Sequence, residues 1–363
     1  MKKFVINKND LKNNINVIKK MSDKAKVYAV VKCNGYGLGI VEYTKFLIEN
    51  GINDIACAQT EELMKLVDAG VKANFIMLSP VVNEEELQFL IENDIVLTIG
   101  AKNELEEAIR ISKKINHENV KCYIKIDTGF SRYGFLYNKV DDIIDAFKNR
   151  ENIQIVGIYT HFSNVRDKGW TQKQFDRLIN LSVKIKEAGF DPGIMHCSES
   201  GAFVKYPYMN LDAVRIGTLF LGRSLFKTNK LKRIGKLETE IVEIKDIPKG
   251  SYVGYSSIYR TFRETKVAVI PVGYEDGFNR NKLRDDFSFR NNLLAVGREF
   301  KKIFIDNSLK VEIKGKKYKV IGRIGMFYSI IDITGSDDIH TGDKVLIDIS
   351  PIEVSSEIRR EYI

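Results

Sequence analysis

Short β-like runs alternate with amphipathic helical segments from about residue 10 to residue 225, and this alternation limits the fold more than any other feature. Eight such runs occur, at residues 27–31, 54–58, 75–78, 95–99, 122–126, 153–159, 194–197 and 213–216. The segments between them carry apolar residues three and four apart, which is the spacing of an amphipathic helix. Eight βα units within about 215 residues predict an N-terminal (β/α)8 barrel of the TIM type. A doubly wound open parallel sheet is the alternative that the same alternation allows.

The helical spacing ends near residue 237, and short β-like runs then follow one another to the end of the chain. These runs are at residues 238–245, 258–263, 266–272, 302–306, 310–313, 318–322 and 344–348. The turn Lys314-Gly315-Lys316 has the central glycine of a hairpin connection. We therefore expect two domains, the α/β barrel at residues 1–236 and an all-β C-terminal β-strand domain at residues 237–363.

Charge and cysteine patterns exclude several classes of function. The net charge is +9, but the lysines are spread along the whole chain. No block of basic residues alternates with aromatic residues, so a nucleic-acid partner is not expected. No apolar run approaches the roughly 18 residues of a membrane span, so no membrane partner is expected. The four cysteines form no CxxC pair, and no histidine lies at a metal-ligand spacing. We expect a cytoplasmic protein that has no metal site and buried free thiols at Cys33, Cys57, Cys122 and Cys197.

The segment that follows the first β-like run carries the most specific chemical signal. Lys32 ends an apolar run and opens a turn with glycines at positions 35, 37 and 39. We expect Lys32 to be half-buried at the rim of the sheet, where burial lowers a lysine pKa and makes the amine nucleophilic toward an aldehyde. The glycines allow the backbone to approach a phosphate, and Tyr36 can donate a hydrogen bond to it. A Schiff-base lysine beside a phosphate cradle predicts pyridoxal 5'-phosphate as cofactor. An exposed lysine before an ordinary loop is the simpler alternative.

Further polar residues gather at the C-terminal ends of the barrel strands, where barrel active sites are built. They are Lys125, Asp127, Thr128 and Arg132 after the fifth run, His161 after the sixth, His196, Ser198, Glu199 and Ser200 after the seventh, and Arg215, Gly217 and Thr218 after the eighth. Each residue also has a structural explanation. Lys125 and Asp127 can form an internal ion pair, Arg132 can pair with Asp127 or Glu199, and Arg215 can meet a buried carboxylate.

Eight motifs in order along the chain resemble the alanine racemase family. They lie at residues 31–39, 125–132, 159–163, 196–200, 214–217, 253–260, 270–277 and 322–326. The first resembles the family's cofactor-lysine signature, and Tyr255 in the sixth lies where the family has a second catalytic base. The resemblance covers essentially the whole chain. It implies a homodimeric amino-acid racemase that uses pyridoxal 5'-phosphate, with active sites shared between the subunits.

The resemblance also implies a role for each site residue. Lys32 holds the cofactor and is the base on one face of the substrate Cα, while Tyr255 of the partner subunit is the base on the other face. Arg132 orients Tyr255 and the substrate carboxylate, His161 forms a relay with Arg215, and Lys125 takes the place of a lysine that the family often carbamylates. The other implied cofactor contacts are Tyr36, Ser200, Arg215, Gly217 and Thr218, and the implied substrate contacts are Arg132, Tyr274 and Met326.

Several departures from the family pattern bear on the substrate. Phe327 replaces an entrance aspartate, Glu199 replaces an asparagine, and Ser356 stands where the family has a tail tyrosine. Residues 281–307 are longer than the matching family loop. Alanine is the expected substrate, and serine or a larger or basic amino acid is the alternative. A non-catalytic pyridoxal phosphate-binding protein and a decarboxylase fit less well, because the former lacks the β domain and the latter does not need two bases.

Overall fold

The computed structural model describes residues 1–148, 150–280 and 308–363, together with Gly297. They cluster into two units, Lys8–Ile234 and a second unit that joins Met1–Asn7 to Gly235–Ile363. The expected barrel at residues 1–236 differs from this division at its start. Strand β1 (Lys3–Ile6) pairs in parallel with residues 359–362 and antiparallel with residues 236–238, so the chain begins in the sheet of the second unit.

The first unit is a parallel β-barrel surrounded by helices. Its strands are β2 (Lys26–Val30), β3 (Asp54–Cys57), β4 (Asn74–Met77), β5 (Leu97–Ile99), β6 (Val120–Asp127), the short β7 (Phe135–Leu136), β8 (Ile153–Tyr159), β9 (Ile194–Glu199) and β10 (Ala213–Ile216). Its helices are α1 (Lys8–Ser22), α2 (Lys32–Tyr36), α3 (Ile40–Glu49), α4 (Thr60–Asp68), α5 (Glu84–Glu92), α6 (Lys102–Lys114), α7 (Val140–Lys148), α8 (Lys168–Glu187) and α9 (Ser200–Lys205).

Closure of the sheet distinguishes a barrel from an open sheet. The strand order is β4-β3-β2-β10-β9-β8-β6-β5, and a parallel bridge from Ile76 to Val96 joins the two ends. The barrel expectation is therefore confirmed over the doubly wound alternative. The helices cover the barrel as their apolar spacing predicts: in α4, Leu63 and Leu66 are buried while Glu61 is exposed.

Aromatic side chains fill part of the barrel interior. The hydroxyls of Tyr28 and Tyr123 lie 2.5 Å apart, which gives each buried phenol a hydrogen-bond partner. The Tyr159 ring stacks on His196 with their centroids 4.7 Å apart, and its hydroxyl bonds to Thr98 and to the carbonyl of Leu78. This packed layer is the floor beneath the polar residues at the strand ends.

The second unit is a nine-stranded sheet in the order β12-β13-β16-β15-β14-β17-β11-β1-β18. The strands after β1 are β11 (Lys236–Glu240), β12 (Glu243–Ile247), β13 (Thr265–Ile270), β14 (Lys310–Ile313), β15 (Lys316–Ile321), β16 (Ser329–Asp332), β17 (Lys344–Ile347) and β18 (Arg359–Tyr362). The hairpin between β14 and β15 is present, and Lys314 and Gly315 both have positive φ, as a two-residue hairpin turn requires.

Three expectations for this unit have other outcomes. The single strand expected at residues 238–245 is two strands, β11 and β12, separated by residues 241 and 242. The strand expected at residues 258–263 is wrong, because this segment forms a loop with one isolated bridge at Arg260. Ile258 and Phe262 are exposed, so the apolar residues that indicated a strand do not pack on the sheet. The strand expected at 302–306, and the long segment 281–307, lie outside the described residues. Of the helices that the structure describes, none is long and apolar enough to cross a membrane.

Candidate active site

A pocket of about 400 Å³ lies at the C-terminal ends of the barrel strands. Eight of the residues expected in the site line it: Lys32, Tyr36, Arg132, His161, Ser200, Arg215, Gly217 and Thr218. Lys125 adds a further cationic side chain, and Glu199 is the carboxylate in the lining. Four basic residues against one acid favour a ligand with several negative charges.

The turn after β2 presents Lys32 and Tyr36 to the pocket. Cys33, Asn34, Gly35 and Tyr36 all have positive φ, so the segment is a turn of left-handed helix. The expectation that Lys32 is half-buried is wrong, because its side chain is exposed at the pocket wall. Cys33 is also exposed, in contrast to the buried thiols of Cys57, Cys122 and Cys197.

A small cradle forms where α9 begins and β10 ends. The Ser200 hydroxyl oxygen accepts a hydrogen bond of 3.1 Å from the Gly217 backbone N–H. A Cβ atom on Gly217 would lie 2.4 Å from the Tyr36 hydroxyl oxygen, so glycine allows this close approach. Burial raises the pKa of Tyr36 and keeps its phenol protonated as a donor. The hydroxyls of Tyr36 and Ser200 are O–H donors that suit a phosphate.

Arg215 lies on the floor of the pocket and is 3% exposed. Its guanidinium donates to the carbonyl of Thr160 at 2.7 Å, to the carbonyl of Cys197 at 3.2 Å and to Nδ1 of His161 at 3.2 Å. It also contacts Nδ1 of His196. The alternative of a buried carboxylate partner is therefore replaced by carbonyl and imidazole acceptors.

Both histidines beside Arg215 are neutral acceptors. Burial and the charge of Arg215 hold the pKa of His161 and of His196 well below its ordinary value. Because the guanidinium only donates, the Nδ1 atom that it contacts on each ring accepts. His196 was one of the polar residues noted at strand ends, but its role as a partner of Arg215 was missed. Its strand position was the available signal.

Lys125 and Asp127 do not form the internal ion pair that was the structural alternative for them. The Lys125 Nζ donates to the carbonyl of Ile126 at 3.0 Å, and burial, followed by the charges of Arg215 and Arg132, lowers the pKa of Lys125 to about 7. Asp127 Oδ1 accepts the backbone N–H groups of residues 129, 130 and 131 at 2.9 to 3.1 Å. Burial opposes its ionisation, but these three bonds leave its pKa below the ordinary value. The loop that carries Arg132 is thereby fixed to strand β6.

Glu199 is the N-cap of α9 rather than a free carboxylate. Its oxygens accept the backbone N–H groups of Gly201 at 2.5 Å and Ala202 at 2.9 Å. This role was missed because glutamate is not among the residues preferred at N-caps. The cap fixes the first turn of α9, which carries Ser200 in the cradle.

The remaining expected site residues lie in loops of the second unit. Tyr274 and Met326 are on adjacent loops, joined by a 3.1 Å bond from the Tyr274 N–H to the Gly325 carbonyl and a 3.2 Å bond from the Glu275 N–H to the Met326 carbonyl. The Tyr255 ring is exposed, with its centroid 6.1 Å from that of Tyr328. Within this unit, Met326 and Tyr328, the residue that contacts Tyr255, therefore lie on the same loop after β15.

The fold and pocket define a (β/α)8 barrel protein with a β domain and a cationic pocket of about 400 Å³ on its βα loops. Models of the alanine racemase N-terminal domain and C-terminal domain match residues 6–224 and 234–357. The chain belongs to the alanine racemase family.

Individual relatives support the same family. An alanine racemase of Methanococcus maripaludis is 33% identical over 346 residues, which are 93% of this chain and 86% of the relative. One of Clostridium perfringens, strain SM101, is 32% identical over 353 residues, 92% of this chain and 82% of the relative. The solved alanine racemase of Clostridium difficile 630 is similar with a TM-score of 0.85 and 27% identity, over all of this chain and 95% of that one.

Proposed function

We propose that this chain is a pyridoxal 5'-phosphate-dependent isomerase that interconverts L- and D-alanine with Lys32 and Tyr255 as its two bases. Relatives named alanine racemase, about 30% identical across most of the chain, support the activity. The observation that carries the proposal is the single pocket in which Lys32, the cradle at Gly217 and buried Arg215 occur together.

The pocket fits the cofactor at both of its ends. The phosphate would be held by Tyr36, Ser200, Gly217 and Thr218, in the cradle where glycine at position 217 lets the Tyr36 hydroxyl approach. Lys32 would hold the aldehyde carbon, and Arg215 would meet the ring nitrogen. When bound, the cofactor withdraws electrons from the amino-acid Cα and so makes its proton removable.

Two bases on opposite faces suit racemisation, because one base alone tends to return the proton to the face it left. Lys32 Nζ would move the proton on one face of Cα. The Tyr255 hydroxyl of the partner subunit would move it on the other face, in a homodimer with shared sites. The Tyr255 side chain is exposed, which is compatible with such a role.

Arg215 and His161 would hold the charge state of the site. A guanidinium stays protonated, and its positive charge beside the ring nitrogen disfavours a second positive charge there. Neutral His161 accepts from Arg215, so the pair keeps one positive charge rather than two. This arrangement favours proton return to Cα over other reactions of the same cofactor.

Arg132 would bind the substrate carboxylate and orient Tyr255. Its guanidinium lies over the ring of Phe130 at 4.4 Å, which restricts its position. Lys125, with a pKa lowered to about 7, has a neutral amine available above that pH. Attack of this amine on CO2, with loss of the amine proton, would give a carbamate anion to pair with Arg132. Tyr274 and Met326 of the partner subunit would line the substrate entrance.

One of the two reasons for considering a basic substrate no longer applies. Glu199 prompted it, but the carboxylate oxygens of Glu199 accept N–H groups of α9. Phe327 and the missing tail tyrosine still favour testing larger substrates. The four free cysteines agree with a reducing compartment, and we place the enzyme in the cytoplasm.

The test begins with the purified protein and pyridoxal 5'-phosphate. We expect a visible absorption band, and borohydride reduction should fix the cofactor to Lys32 in the peptide map. Inversion of L-alanine, L-serine, L-lysine and L-ornithine is then measured, with alanine expected to be fastest. Inversion of another amino acid with alanine inert would contradict the substrate, and no band together with no inversion would contradict the enzyme.

A further inference from the structure

The left-handed turn that carries Lys32 and Tyr36 is unfavourable for its own residues. Cys33, Asn34 and Tyr36 each bear a side chain, and left-handed backbone crowds the Cβ of any such residue. Strained backbone of this kind persists only where surrounding contacts hold it. The contacts of this turn therefore control where the two side chains point.

Glu62 provides one of these contacts from a neighbouring βα unit. It lies in the first turn of α4, is 6% exposed, and its Oε1 accepts the backbone N–H of Asn34 at 3.0 Å. Asn34 in turn accepts the N–H of Ile40 at 2.9 Å and so begins α3. A single carboxylate thus connects α4 to the middle of the turn.

The second oxygen of the Glu62 carboxylate does not hold the turn in this way. Glu62 Oε2 is buried, and no hydrogen-bond partner for it occurs among the described residues. Burial of a half-satisfied carboxylate costs stability, so an apolar side chain of similar size would suit the fold alone better. A contact that costs stability needs another explanation.

We propose that Glu62 is a positioning residue for the cofactor site, because its Oε1 holds the left-handed turn in the form that presents Lys32 and Tyr36. The inference rests on the proposed function, since it assumes that Lys32 links to pyridoxal phosphate. Glu62 acts through the backbone of Asn34 and is not among the residues that line the pocket.

Four variants separate this role from a general effect on folding. Glu62→Met keeps the length and removes the acceptor, while Glu62→Gln keeps an acceptor oxygen. Glu62→Asp keeps the charge but withdraws the carboxylate from Asn34 by one methylene, and it stays informative if Glu62→Met does not fold. Glu61→Gln is the matched control, because Glu61 is the exposed acid one position earlier on α4.

The measurements are the rate at which the cofactor-free protein forms the visible band with pyridoxal phosphate, and the competition of inorganic phosphate for the cradle. We expect Glu62→Met and Glu62→Asp to slow band formation about tenfold and to weaken phosphate competition. Glu62→Gln and Glu61→Gln should stay within about twofold of the unaltered protein, and circular dichroism should show a folded chain throughout.

Two results would overturn the inference. One is band formation in Glu62→Met and Glu62→Asp at the rate of the unaltered protein, and the other is Glu62→Gln as slow as Glu62→Met. Failure of the unaltered protein to form a band would instead overturn the proposed function, so the two failures are distinct.

Discussion

Gly217 lies where a side chain would occupy the space of the Tyr36 hydroxyl. The backbone N–H of Gly217 donates to the Ser200 hydroxyl oxygen, and its missing Cβ lets the Tyr36 hydroxyl approach. At the scale of single residues, the site depends on the absence of a side chain at position 217. Sequence placed glycine here at the end of the eighth run, but the close approach of Tyr36 appears only in the folded chain, because the two residues are far apart in sequence.

Gly217→Ala should displace the Tyr36 hydroxyl from the cradle. The added methyl group would overlap the Tyr36 hydroxyl, so we expect pyridoxal phosphate affinity to fall about tenfold or more. Gly169→Ala on α8 is the control, because its nearest neighbouring atom would be 3.7 Å from the new methyl group. Affinity is measured by titration of the visible band. Equal affinity in the two variants would show that the phosphate binds elsewhere.

Lys125 should make stability depend on pH. Its pKa is about 7 in the folded chain and near the ordinary 10.5 when unfolded, so the unfolded chain binds more protons between these values. Stability of the unaltered protein relative to Lys125→Met should therefore rise with pH across this window, on the order of 1 kcal/mol per pH unit.

The measurement for Lys125 is urea unfolding of both proteins from pH 7 to pH 10 in buffer freed of CO2, since a carbamate would not titrate in this way. A stability difference that stays constant with pH would contradict a neutral buried amine. A difference that falls with rising pH would indicate that Lys125 gains an anionic partner when folded.

At the scale of elements, the positions of the strand ends could be predicted from the sequence. The hydrogen bonds and the exposure of the side chains at those ends could not. The alternation located β6, β8, β9 and β10, because buried parallel strands are short apolar runs between amphipathic helices. The N-cap role of Glu199, the half-satisfied Glu62 and the exposure of Lys32 were not predictable. Each depends on which neighbouring element supplies or withholds a partner.

Glu199→Ala should destabilise α9 and disturb the cradle. Loss of both cap bonds should cost about 1 kcal/mol of unfolding free energy in urea, while Glu199→Asn should lose less because asparagine is a good N-cap. Racemisation of lysine and ornithine relative to alanine should be unchanged in both. If Glu199→Ala kept full stability and altered that ratio, Glu199 would be a substrate contact.

At the scale of the whole molecule, the sequence predicted two domains of the observed classes but not where the first residues belong. Strand β1 pairs with β11 and β18, which are more than 200 residues away in the sequence. A local sequence pattern cannot predict pairing between segments so far apart. Phe4 is fully buried, and Gly235 leaves room for its ring. Eight expected site residues meet in one pocket because parallel strands of a barrel end on one face.

The two-base claim is tested most directly by converting L-alanine to D-alanine in D2O and following deuterium at Cα in substrate and product. We expect deuterium in D-alanine at early times and little in the remaining L-alanine. Tyr255→Phe should lose inversion, and Lys32→Ala should lose both the visible band and exchange. Deuterium appearing equally in L- and D-alanine from the start, with Tyr255→Phe as active as the unaltered protein, would contradict two bases and assign both proton transfers to one group.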